Sequence, residues 1–142
     1  MRIKRYLLTC LVLFLVALAW NALVHLVVLR QVHETVRHVL RPDFESRAWL
    51  TLVVAAGIIC LFVWGYGRFA RGSSVREGAL WGVFFALVAG LLVDLNQYAL
   101  YPIPAWVAAV WWAGGLLEFT LYGVLVSRLF PPRGSQAEHQ AL

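Results

Sequence analysis

In a chain of 142 residues, 62% are hydrophobic and 13% charged, against about 45–50% and roughly 25% in a soluble domain. The excess is larger than a rich core needs and makes lipid, not water, the solvent for most of the surface. The formal charge of +5 does not point to nucleic acid, because the basic residues stand in short clusters between apolar runs, as membrane flanks do.

Taken in chain order, the first apolar run covers residues 6–29, led by the basic MRIKRY. That lead and Ala17-Leu18-Ala19 have the outline of a signal peptide. The run continues well past the roughly 7–15 residues of a signal h-region, so an uncleaved helix is expected. Residues 30–41 follow, with Val32, Val36, Val39 and Leu40 on one face and Arg30, His33, Glu34, Arg37 and His38 elsewhere. This spacing predicts an amphipathic helix that either lies in the membrane interface or extends the first span.

Further apolar runs cover residues 48–66, 78–100 and 105–129. Each reaches the about 20 residues that cross a bilayer, and backbone groups in lipid must be paired internally, so all four runs are expected to be helices. Ser74-Val75-Arg76-Glu77 reads as a capping box and sets the third helix start near Val75. Tyr101-Pro102-Ile103-Pro104 reads as a tight turn, with Pro104 suited to the first position of the fourth helix. The expected fold is all-α: one domain over residues 1–130, a four-helix transmembrane bundle with a short amphipathic extracytoplasmic helix, and a disordered cytoplasmic tail over residues 131–142.

Orientation follows from Lys and Arg. Arg2, Lys4, Arg5, Arg68, Arg71, Arg76, Arg128 and Arg133 make eight on one side. The other side has Arg30, Arg37, Arg41 and Arg47, diluted by Glu34, Asp43 and Glu45. Both termini are expected in the cytoplasm, with the protein in the inner membrane of a bacterium.

Ionisable groups inside spans are expensive unless paired or wet, and so are default candidates for function. There are three: His25, Asp94 and Glu118. At a rise of about 1.5 Å per residue, Asn21, His25 and Asp94 fall about 22, 28 and 24 Å from the cytoplasmic ends of their spans. A polar cluster of Asn21, His25, Asp94 and Asn96, near Tyr98, is expected toward the outer side. It reads either as a proton- or cation-binding site, His25 titrating near neutrality, or as a hydrogen-bonded clasp between the first and third spans.

Glu118 falls near midplane, about 16 Å from one end of its span and about 20 Å from the other. Residues 11–19 of the first span are all apolar, and Tyr122 is one turn away on the same helix. Three readings stay open: a carboxyl for proton coupling or a cationic substrate, a neutral Glu bonded to a carbonyl beside Gly114 or Gly115, or a carboxyl whose partner belongs to another chain. Gly78, Gly82, Ala86 and Gly90 recur every four residues, and Gly114 and Gly115 lie on the fourth span. These small residues pack the two helices of a hairpin together or form a homodimer seam.

Of the intramembrane histidines only His25 qualifies as a haem ligand, and His33 and His38 share no face. Cys10 and Cys60 show no CxxC or Cys/His spacing, so no metal, disulfide or cofactor is expected. Trp49, Tyr98, Tyr101, Trp106, Trp111 and Trp112 gather toward the outer interface, and Tyr6, Trp64, Tyr66, Trp81 and Phe130 toward the inner one. No nucleophile elbow, phosphate loop, dinucleotide fingerprint or HExxH motif occurs. In size and span count the chain is similar to several families of small bacterial four-span membrane proteins. The helix-one glutamate of small multidrug transporters and the Gly/Asn-rich pattern of fluoride channels are absent, and no family is assigned.

The expectation is a non-enzymatic structural or accessory subunit, as a homodimer or with another membrane protein in the bilayer. The alternative is a small proton-coupled or cation transporter using Glu118 and the Asn21/His25/Asp94 cluster. The topology has a direct test. Alkaline phosphatase fused after residue 130 is expected to be inactive, and fused within residues 42–46 active; the reverse pattern would invert the assignment.

Overall fold

The computed structural model describes residues 2–24, 36–39, 42–43, 45–70, 72 and 74–130. It contains α1 (Arg2–Leu23), α2 (Ala48–Phe69), α3 (Val75–Ala89), α4 (Asn96–Leu100) and α5 (Ala105–Leu129). A π-helical segment, Gly90–Leu95, joins α3 to α4 without a break. Four helical stretches, Ile3–Leu23, Ala48–Phe69, Val75–Leu100 and Ala105–Leu129, are long and apolar enough to cross a membrane. Among the described residues there is no strand, so this is an all-α four-helix bundle and an integral membrane protein.

The helix ends follow from their local chemistry. Ser74 Oγ accepts the Glu77 N–H at 3.1 Å, and α3 starts at Val75 as the cap implies. Pro104 stands just before α5, with φ −59° and ψ 140°, rather than inside its first turn. The second span runs three residues past the expected 66, to Phe69, carrying Arg68 into its last turn. The first helix begins at Arg2; the expected extension to residue 29 lies outside the described residues, apart from Val24, as does the tail 131–142. Of the amphipathic segment 30–41, only residues 36–39 are described. They include a single 3₁₀ turn, Arg37–Val39, and Val36 is buried against Ile103 and Val107 at the Pro turn.

Packing centres on the α3–α5 hairpin. Gly78, Gly82 and Ala86 are buried there. A Cβ at Gly78 would overlap the Gly123 carbonyl, one at Gly82 the Phe119 carbonyl, and one at Gly123 the Gly78 carbonyl. Of the two roles open to the small-residue series, the contact within the hairpin is the one observed. Gly114 and Gly115 take no part in it, since a Cβ on either meets nothing within 4 Å.

α1 lies against α2 and α5 through Cys10, Leu13 and Ala17, spaced by three and four. Leu7, Leu11, Leu15 and Leu18 point the other way and are exposed, as a lipid-facing stripe requires. Of the aromatics expected at the inner interface, Trp64 is exposed, Tyr6, Trp81 and Phe130 are half-buried against the core, and Tyr66 lies within it. Tyr66 is fully buried, and Phe62, Trp81, Phe85, Phe119 and Tyr122 form one aromatic cluster. Trp81 fits because Gly65 leaves room for its ring, and its indole N–H donates to the Phe62 carbonyl at 3.3 Å. Trp49, Tyr98, Tyr101 and Trp106 are exposed near the opposite end, which suits an interfacial belt.

Gly82→Ala or Gly123→Ala is expected to lower bundle stability by about 1–3 kcal/mol through overpacking, measured by reversible unfolding in mixed micelles. Gly57→Ala, whose Cβ meets nothing within 4 Å, is the control and is expected to lower it little or not at all.

Candidate functional site at Glu118

α1 and α5 run antiparallel, because Arg5 Nε donates to the Leu129 carbonyl at 2.7 Å at one end of the pair. Further along, Asn21 Nδ2 donates to Glu118 Oε1 at 3.2 Å. Simple counting of rise puts Asn21 about 24 Å from Arg5 and Glu118 about 17 Å from Leu129, a mismatch of several ångströms. Side-chain direction closes it. In a helix the Cα–Cβ bond leans toward the N-terminus. Asn21 therefore leans back toward the Arg5 end, and Glu118, on the antiparallel helix, leans toward the Pro-turn end. The two side chains converge.

Tyr122 completes the cluster from α5. One turn beyond Glu118 and leaning toward it, the buried tyrosine donates its hydroxyl hydrogen to the same Oε1. Asn21 Nδ2 spends its other hydrogen on the Ala17 carbonyl at 2.9 Å. One carboxylate oxygen thus accepts from two helices. No hydrogen bond from the Glu118 side chain to a carbonyl beside Gly114 or Gly115 is present among the described residues.

The remaining atoms are as informative. No hydrogen bond among the described residues reaches Glu118 Oε2 or Asn21 Oδ1, and Oε2 is not buried without a partner. Glu118 is half-buried and Asn21 is exposed, and Glu118 Oε2 is not sealed in the core. Gly114 and Gly115 lie one turn from Glu118, on the side toward which its side chain leans, with open space beside them.

The expected grouping of Asn21 with Asp94 is not what forms. Asp94 is half-buried in the π-helical segment and makes no hydrogen bond or ion pair among the described residues; His25 lies outside them. Asn96 is exposed at the start of α4. The clasp from α1 therefore reaches α5, not the third span. Near the π-helical segment, Trp112 packs its ring on Gly90, and its indole N–H is the one buried side-chain donor without a partner among the described residues. No cluster of three or more His, Cys, Asp or Glu able to hold a metal occurs among the described residues.

No family model, curated protein or solved structure matches this chain. Asn21→Leu is expected to loosen α1 from α5, lowering stability by about 0.6–2 kcal/mol, the range for interhelical polar contacts in membranes. The same unfolding assay reads it, and an unchanged value would mean that the Asn21–Glu118 bond does not hold α1 in place.

Proposed function

We propose that this small integral membrane protein is a non-enzymatic accessory subunit that associates sideways, within the bilayer, with another membrane protein. The observation that carries the reading is the half-satisfied Glu118 cluster at mid-span, with acceptor atoms that have no partner among the described residues. A polar group in lipid is costly when left unpaired, and a neighbouring protein relieves that cost.

What argues against the carrier reading is the lack of a wet route. Residues 105–117 are apolar or aromatic, as are 11–19 on α1. On the other side of the cluster, the buried hydroxyls of Thr9 and Ser127 are spent on their own helices, donating to the Arg5 and Val124 carbonyls. A proton relay needs groups free to exchange partners.

Purification of the full chain from its native membrane in mild detergent, followed by native mass measurement, is expected to give a complex heavier than 16.0 kDa that contains a second polypeptide. A lone monomer that, reconstituted in vesicles, shows proton uptake abolished by Glu118→Gln would overturn the reading in favour of a carrier.

A further inference from the structure

Resting on the accessory-subunit reading, we infer that the surface formed by Glu118, Asn21, Gly114 and Gly115 receives a transmembrane helix of another protein carrying a Lys or Arg side chain at mid-span. The hydrogen-bond accounting points to a donor. The Tyr122 hydroxyl hydrogen and both Asn21 amide hydrogens are in use. With Glu118 ionised, what the cluster still offers is Glu118 Oε2 and Asn21 Oδ1, two acceptors without a partner among the described residues. An ammonium has three donors and no acceptor, and a guanidinium five; either has donors enough for both oxygens.

Charge selects the same partner. An ionised carboxylate in the middle of a span is costly, and so is a lone cation there. Brought together in a low-dielectric setting, each offsets the other's cost provided the remaining lone pairs are bonded. The two bonds already on Oε1 meet that condition for this side of the pair. The glycines supply the geometry, since Gly114 and Gly115 have open space where side chains would stand, and helix backbones approach closely over such residues.

A second copy of this chain does not fit. Residues 6–24, 48–67, 77–100 and 105–127 contain no Lys or Arg. A two-fold dimer through this surface places the same patch on both subunits, which sets Glu118 against Glu118 rather than against a cation. The required group therefore comes from elsewhere.

The test uses a synthetic polyleucine helix with a single central Lys, and its all-Leu counterpart, reconstituted with the fluorescently labelled full chain in lipid vesicles. Energy transfer is expected to show the Lys helix associating at least about tenfold more tightly than the Leu helix. Glu118→Gln is expected to abolish the difference. Gly114→Ala, whose Cβ meets nothing within 4 Å, is expected to weaken binding while helicity and monomer stability stay unchanged. Equal association of the two helices, or a preference that survives Glu118→Gln, overturns the inference. So does a labelled chain that associates with unlabelled copies of itself in a Gly114-dependent way. A natural complex retained by Glu118→Gln would sink this inference while leaving the accessory-subunit reading intact.

Discussion

The backbones of α3 and α5 touch at Gly78, Gly82 and Gly123, and the rest of the bundle depends on that contact. Between helices in lipid there is no hydrophobic driving force of the kind water supplies, so association rests on close packing and interhelical hydrogen bonds. A hairpin closed by the Tyr-Pro-Ile-Pro turn and lined with glycine meets the first need. With α3 seated so closely, Phe119 and Tyr122 of α5 reach the aromatic cluster that also takes in Phe62 of α2. The aromatic cluster thus joins helices that share little direct backbone contact.

The second need is met by polar bonds, and these are few. α1 is tied to α5 at one end by Arg5 on the Leu129 carbonyl and near its other end by Asn21 on Glu118. α1 meets α2 through Tyr6, whose hydroxyl donates to the Cys60 carbonyl at 2.9 Å. Elsewhere the hydroxyls of Thr9, Thr120 and Ser127 donate to carbonyls of their own helices. Glu118 stands apart because one of its oxygens is satisfied within the chain and the other has no partner among the described residues. A group that served only to hold the helices together would have no reason to leave Oε2 unbonded.

Much of the fold was legible in the sequence because its determinants are local. Length and composition of the apolar runs gave four spans, and Ser74 and Pro104 marked two helix starts to within a residue. The π-helical segment at Gly90–Leu95 left no such mark; its residues read as ordinary helix, and the Trp112 ring against Gly90 is a tertiary fact. The candidate site was half legible. Glu118 stood out as an ionisable residue at midplane, with Tyr122 one turn away. Its partner on α1 is not visible to a depth count along backbones. The lean of side chains toward each helix N-terminus, applied to an antiparallel pair, brings Asn21 down and Glu118 up to one level. Likewise Tyr66 and Trp81 looked interfacial by position along the chain, and only helix rotation shows that they face inward.

The account comes down to whether another protein stands beside Glu118 in the native membrane. A photo-crosslinking residue at Leu117, exposed on the same side of α5 as Gly114, tests this most directly, with Leu91 on the third span as the control. The account predicts a crosslinked adduct with a second, different polypeptide from Leu117 and only lipid adducts from Leu91. Adducts from Leu117 confined to lipid, or to another copy of this chain, would contradict it.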